Sequence, residues 1–116
     1  MIFLLEKMVE IGFLFDFYGK LLTDKQQETM TLYYYDDLSL GEIAERLAIS
    51  RQGVYDHLQR GEELLRDYEK KLQLVKKYTN LKEGLEGFAE YIQGQEINPQ
   101  IREELTKKLK GIKEAL

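Results

Sequence analysis

This sequence of 116 residues contains no cysteine, one histidine and one proline. Without cysteine the chain can form neither a disulfide framework nor a thiolate metal site, and it offers no cysteine nucleophile. The histidine, His57, lacks the companion residues that metal binding or general base catalysis would need, so a packing or surface role is favoured. Phosphate-binding loops, nucleophile elbows and metal-ligand clusters are missing as well. The sequence therefore predicts a protein that is not an enzyme and uses no cofactor or metal ion.

Long apolar runs are also missing. Residues 1–5 are apolar, but Glu6 and Lys7 follow at once. A secretory signal needs a basic start and then roughly 7–15 apolar residues, and a membrane span needs about 20. Neither pattern occurs, so we expect a cytoplasmic protein with no membrane partner.

Charge is distributed unevenly along the chain, whose formal net charge is −4. Residues 23–68 contain five basic and ten acidic residues and sum to −5, whereas residues 69–116 contain ten basic and eight acidic residues and sum to +2. A DNA-binding domain gains much of its affinity by neutralising phosphates with lysine and arginine. The acidic central segment therefore opposes DNA binding and favours a basic protein partner.

Apolar residues recur at helical spacing throughout the chain, and strand-like alternation is absent. Capping-box patterns begin at Thr23 and Ser39, Ser50 can cap a further helix, and Asn98-Pro99 is a helix start signal. The pattern thus predicts an all-α fold. The expected helices cover residues 2–21, 24–35, 40–47, 51–78, 81–93 and 99–116.

The first predicted helix is apolar on more than one face, with Phe13, Phe15 and Phe17 among its apolar residues. Such a helix is normally buried on several sides. It is therefore either the hydrophobic centre of the fold or a helix that needs a partner chain.

The predicted helix 51–78 carries a coiled-coil-like seam. Its members are Leu58, Leu65, Tyr68, Leu72 and Val75. Gly61 lies near this seam and is expected to weaken it, because glycine costs about 1 kcal/mol relative to alanine inside a helix. So long a seam has few partners within a short chain, which predicts a homodimer held by the tail, with the first helix as a competing dimer surface.

Residues 40–58 have the spacing of a helix-turn-helix. Ser50 supplies a hydrogen-bond acceptor for the start of the second helix, and Ala44 is small where the two helices must approach closely. Ala48 stands where many such turns have glycine, because the backbone there favours a left-handed conformation. Five residues form the apolar wedge between the crossed helices: Ile43, Leu47, Ile49, Val54 and Leu58.

In such motifs the second helix lies in the major groove of DNA. Gln52 can pair with adenine there, and Arg51 can reach a guanine or a phosphate, whereas Asp56 repels phosphates. Helical spacing places Gln52, Tyr55, Asp56 and Gln59 outward. The candidate DNA-binding residues are Ser50, Arg51, Gln52, Tyr55 and Gln59, with Arg46 and Arg60 at the phosphate backbone.

A wider set of motifs resembles known families. The segment LTDKQ at 22–26, followed by LS at 38–39, EIA at 42–44 and IS at 49–50, resembles region 4 of bacterial sigma factors, which reads promoter DNA. A closer resemblance is to the YlxM family of small bacterial proteins, which are sigma-region-4-like and encoded beside signal recognition particle components. It rests on LFDFYG at 14–19 with LLT at 21–23, LYY at 32–34, DDLSLGEIAE at 36–45, SRQ at 50–52 and VYD at 54–56. The match covers about residues 4–75.

The resemblance implies a fold and two functions. The expected fold is a sigma-region-4-like helix-turn-helix domain over residues 1–68, including the N-terminal helix, followed by a helical tail over residues 69–116 for oligomerisation or interaction. The first function is a regulatory DNA-binding protein connected with the signal recognition particle pathway. The second is a protein-binding adaptor that modulates the signal recognition particle or its receptor without binding DNA.

Overall fold

The computed structural model describes residues 2–116, so Met1 of the N-terminal apolar stretch lies outside it. The described residues form six α-helices and no strand, which confirms the predicted all-α class. A 3₁₀ turn at Gly19–Leu21 follows the first helix, and a π-helical turn at Thr31–Tyr35 extends the second. The helices are α1 (Ile2–Tyr18), α2 (Asp24–Met30), α3 (Leu40–Leu47), α4 (Arg51–Leu72), α5 (Leu74–Gln93) and α6 (Pro99–Glu114).

The chain divides into two compact units, Met1–Val75 and Lys76–Leu116. The first unit contains the helix-turn-helix, and the second contains α6 and most of α5. The domain boundary predicted after residue 68 stays a prediction.

The starts of α2, α3 and α6 lie where the sequence predicted them. Thr23 and Ser39 each form a complete capping box, with Gln26 and Glu42 respectively at the third helical position. In α6 the side chain of Asn98 accepts a hydrogen bond from the Gln100 amide, with Pro99 at the first helical position. These side chains satisfy amides that have no partner within their own helix, and so fix each boundary locally.

The core of the first unit is assembled around α4, which packs against α1, α2 and α3. The first helix is therefore not the centre of the unit. Its inner side is buried through Ile11, Leu14 and Tyr18, while Val9 and Phe13 on the opposite side are about half exposed. The remaining buried apolar residues of this core are Leu22, Met30, Leu32, Ile43, Ala44, Val54, Leu58 and Leu65.

The prediction that α4 runs on to Tyr78 is wrong. The helix ends at Leu72, Gln73 adopts a left-handed conformation with φ of 55°, and α5 begins at Leu74 rather than at residue 81. The buried hydroxyl of Tyr18 in α1 donates to Glu69 Oε1 at 2.5 Å and accepts from the Leu74 amide at 3.0 Å. The Glu69 carboxylate also accepts from the Val75 amide at 3.0 Å. This tertiary network satisfies the first amides of α5, so the helix can restart there.

Gly61 has a role in packing that the sequence did not indicate. It is buried where α4 crosses α2, and a Cβ at this position would lie 2.6 Å from Sδ of Met30, whose side chain is fully buried. The glycine therefore permits a close approach of two helices instead of merely weakening a seam.

We expect Gly61→Ala to destabilise the protein by about 1 kcal/mol or more, because overpacking in a filled core costs about 1–3 kcal/mol and outweighs the gain in helix propensity. Urea denaturation followed by circular dichroism measures the change. Gly12→Ala is the matched control, since among the described residues nothing lies within 4 Å of a Cβ there. That control should stabilise α1 by up to about 1 kcal/mol. Equal stabilisation by both substitutions would contradict the packing role of Gly61.

Candidate nucleic-acid interface

The turn between α3 and α4 has the geometry of a helix-turn-helix. Ala48 is left-handed, with φ of 56° and ψ of 43°, which confirms the conformation predicted for it. The Ile49 amide then donates to the carbonyl of Ala44 at 3.1 Å and closes the end of α3. Ser50 Oγ accepts from the Gly53 amide at 2.9 Å, so Ser50 caps α4 as predicted. The start of α4 is thereby fixed relative to α3.

The predicted wedge lies between these two helices. Ile43 and Val54 are fully buried, and Leu58 and Ala44 are nearly so. Leu47 and Ile49 are partly buried against the same core. This packing determines which side of α4 faces solvent.

Four polar residues lie along that solvent side. Gln52, Asp56, Gln59 and Glu63 are all exposed, and their spacing of four, three and four residues places them in one row. We call this row the recognition face. Two of its four members are carboxylates, so the face as a whole is acidic. Sequence reasoning missed Glu63, although its position seven residues after Asp56 would have shown it.

The side chain of Gln52 is already engaged within this face. Its Nε2 donates to Asp56 Oδ1 at 3.0 Å. A glutamine that pairs with adenine must donate from the same amide nitrogen. That nitrogen carries two hydrogens, so the bond to Asp56 restrains the orientation of the Gln52 amide and places negative charge beside it.

Arg51 is exposed but turned toward α3. Its guanidinium packs against Gly41, where a Cβ would lie 3.2 Å from both Nε and Nη2. The groove at this point is also lined by Glu42 and Glu45. Hydrogen bonds with the backbone and then the side chain of Ser39, within the capping box, lower the pKa of the Glu42 carboxyl. Arg51 thus lies at the rim of an acidic groove and must swing outward to contact a phosphate or guanine.

Tyr55 and Gln59 line a cleft on the α1 side of α4. The cleft has a volume of about 160 Å³ and is shared with Leu4, Met8 and Leu40. Tyr55 remains about half exposed, so its ring borders both this cleft and the recognition face. Of the predicted site residues, these two are therefore the ones that adjoin the N-terminal helix.

Arg46 and Arg60 lie apart from each other. Arg46 is exposed in the last turn of α3, where a cation is favourable because of the helix dipole. Arg60 is exposed on the opposite flank of α4 from Tyr55, beside Glu63 and Asp67. The two predicted phosphate contacts thus lie on different helices of the motif.

A polar cluster centred on the buried Glu62 carboxylate lines the same cleft and supports α4. Glu62 is nearly inaccessible, and its carboxylate accepts a hydrogen bond from the Tyr34 hydroxyl and pairs with Lys7 Nζ at 3.3 Å. Burial and the hydrogen bond to Glu62 raise the pKa of Tyr34 well above its usual value. Because a buried carboxylate is tolerated only when it is paired, this cluster anchors both α1 and the π-helical turn to α4. Glu62 was not predicted as a site residue.

Metal-ligand clusters and membrane-spanning helices are both missing from the part of the chain that the structure describes. Residues 2–116 contain no group of three or more histidine, aspartate or glutamate side chains that could hold a metal ion. None of their helices is both long enough and apolar enough to cross a membrane.

Two helices crossed over a buried wedge, joined by a left-handed turn and followed by a capped second helix, define a helix-turn-helix protein. Comparison with known families agrees with this class. The family model described as "Putative helix-turn-helix protein, YlxM / p13 like" matches residues 5–112. The chain therefore belongs to the UPF0122 family, which confirms the resemblance found in the sequence.

Individual relatives support the same assignment. The UPF0122 protein YlxM of Bacillus subtilis is 48% identical over 84% of this chain and 88% of its own length. A UPF0122 protein of Geobacillus kaustophilus is 49% identical, over 77% of this chain and 81% of the relative. One from Bacillus velezensis reaches 56% identity over 68% of this chain and 72% of the relative.

The cap at Ser50 provides a test of the motif's geometry. We expect Ser50→Ala to destabilise the protein by about 1 kcal/mol, because the Gly53 amide loses its acceptor, whereas Ser50→Gly should cost only a few tenths. Thermal unfolding of the two variants measures the difference. Equal stability of Ser50→Ala and the unmodified protein would contradict the role of the cap.

Proposed function

We propose that this protein is a non-catalytic regulator that binds duplex DNA through the N-terminal end of α4. The observation that carries the proposal is the capped start of that helix, where Ser50, Arg51 and Gln52 stand clear of the core. In helix-turn-helix proteins this end of the recognition helix contacts the base edges. Tyr55 and Gln59 extend the contact along the helix, while Arg46 and Arg60 neutralise phosphates on either side. Duplex DNA as the ligand implies a cytoplasmic location.

The proposed contact between α4 and duplex DNA is short. Asp56 lies about one and a half turns beyond Arg51, and Glu63 lies nearly two turns beyond Asp56. A helix that enters the groove by its tip keeps Glu63 away from the phosphates, whereas a helix laid flat brings both carboxylates near them. Tip-first entry therefore fits the distribution of charge on the recognition face.

Binding to a labelled duplex between 50 and 200 mM salt tests the proposal. For Arg51→Ala with Gln52→Ala we expect loss of preference between DNA sequences, since base contacts carry specificity. Arg60→Ala should weaken binding to all sequences. It should also reduce the slope of log affinity against log salt concentration by about one unit. Lys82→Ala, which removes a positive charge from α5, is the control and should change neither quantity. Absence of binding even at 50 mM salt would overturn the DNA proposal.

A second candidate function follows from the acidity of the same surface. The carboxylates of Asp56 and Glu63 on the recognition face, together with Glu42 and Glu45 in the neighbouring groove, fit a basic protein or ribonucleoprotein surface. The family resemblance suggests the signal recognition particle or its receptor as that partner. In this alternative the motif is a scaffold for an acidic docking surface.

One substitution separates the two candidates, because they require opposite effects. Asp56→Asn removes a negative charge and leaves the side-chain shape and the helix unchanged. We expect it to strengthen DNA binding several-fold and to leave the preference between DNA sequences unchanged. If a basic partner is the ligand, the same change should weaken that complex several-fold by removing an attractive charge. Measurement of both affinities on the same preparation, with Asp24→Asn as the control for general charge, distinguishes the alternatives.

A further inference from the structure

The second unit, Lys76–Leu116, has an apolar seam that its own two helices fill only in part. In α5 the residues Leu81, Leu85, Phe88 and Ile92 follow one another at spacings of four, three and four. Ile92 is nearly inaccessible and Leu85 is partly buried, whereas Leu81 and Phe88 are 49% and 51% exposed. The exposed pair is separated by seven residues, which is the repeat of a coiled coil.

The other helix of this unit, α6, likewise has both buried and exposed apolar residues. Leu109 is nearly inaccessible and Leu105 is partly buried, while Ile101 and Ile112 are 52% and 51% exposed. Gln93 Nε2 donates to Thr106 Oγ1 at 3.0 Å, so α6 folds back along α5 after the short loop at residues 94–98. On each helix the exposed pair is rotated from the buried line in the same sense. In an antiparallel pair, equal rotations place both exposed pairs on the same side of the hairpin.

Leu81, Phe88, Ile101 and Ile112 thus form one open apolar surface, which we call the tail face. A hairpin of this size cannot enclose a core with two helices alone, because units of about 40 residues usually need a metal ion, a disulfide or a partner chain. Gly84 lies at the edge of this face, and among the described residues nothing comes within 4 Å of a Cβ built there. An unpacked glycine in the middle of a helix leaves room for another backbone.

The residues of α6 indicate which partner fits. Ile101 and Ile112 lie almost symmetrically about Thr106, and so do the exposed Glu104 and Lys108 at the edge of the face. Within residues 2–116 neither Glu104 nor Lys108 forms an ion pair within 4.0 Å. A two-fold axis that crosses the tail face at the level of Thr106 brings each isoleucine toward the other isoleucine of a second copy and each glutamate toward a lysine.

We propose that the tail face is the homodimer interface, and that two hairpins related by this two-fold axis form a four-helix bundle. In such a bundle neighbouring helices are antiparallel and their apolar residues repeat every seven positions. Ridges of residues three apart on one helix pack into grooves between residues four apart on the next. This assigns self-association to the tail rather than to the exposed apolar side of α1, and it does not depend on whether the ligand of α4 is DNA.

Light scattering coupled to size exclusion, on the full chain, tests the interface. We expect the unmodified protein to have twice the chain mass of 13.7 kDa, and Phe88→Glu to have the mass of one chain with unchanged helix content. Phe13→Glu on α1 is the matched control, because Phe13 is similarly exposed, and it should remain a dimer. A monomeric unmodified protein, a dimeric Phe88→Glu variant, or dissociation caused by Phe13→Glu instead would overturn the proposal.

Charge reversal tests whether the partner is a second copy in the proposed register. Glu104→Lys or Lys108→Glu alone should weaken the dimer on the order of tenfold, since each creates two like-charge contacts across the axis. The double reversal should restore the original affinity, because both pairs are then opposite in sign again. Lys110→Glu, away from the proposed contact, is the control for net charge. A dimer that is insensitive to both single reversals would contradict the two-fold arrangement.

Discussion

Two carboxylates on the inner side of α4, the buried Glu62 and the partly buried Glu69, determine how the first unit is assembled. Glu62 and Glu69 lie seven residues apart, two turns along one side of the helix. Lys7 and Tyr34 satisfy Glu62, while the Tyr18 hydroxyl and the Val75 amide donate to Glu69. Apolar contacts alone would allow α1 to slide by a turn, but such a shift would separate both acids from these partners, which is costly for the buried Glu62 above all. The carboxylates therefore specify one register of α1 along α4.

That register has consequences on the opposite side of α4. Because the inner face is fixed by Glu62, Leu65 and Glu69, the row from Gln52 to Glu63 must face solvent, and Tyr55 must border the cleft next to α1. The recognition helix is thus also the central helix of the core. A substitution that strains the inner face, such as one at Gly61, will also displace the recognition face, because both faces belong to one rigid helix. Stability and recognition are coupled in this unit by geometry.

Local features could be predicted from the sequence, and features that depend on distant residues could not. The caps at Thr23, Ser39 and Ser50 and the left-handed Ala48 involve residues within a few positions of one another, so their patterns are readable. The break at Gln73 depends on a hydroxyl 55 positions earlier in the chain, at Tyr18. The close approach of Gly61 to Met30 likewise joins residues that are 31 positions apart. For the candidate site, helical spacing predicted which residues face outward, but the hydrogen bond from Gln52 to Asp56 and the turn of Arg51 toward Gly41 depend on side-chain choices that spacing does not determine.

The acidity of the first unit can be reconciled with DNA binding through the geometry of a dimer. A single α4 tip offers few cations, so its affinity for DNA would be low and strongly dependent on salt. In the proposed dimer the two tips would bind DNA as a linked pair, and the second contact would then benefit from a high effective concentration without any new positive charge. Under this arrangement the acidic flanks suppress binding to arbitrary DNA, because each isolated contact is weak. Only a site with two correctly spaced halves engages both tips, so a chain of net charge −4 can discriminate between sequences by spacing as much as by base contacts.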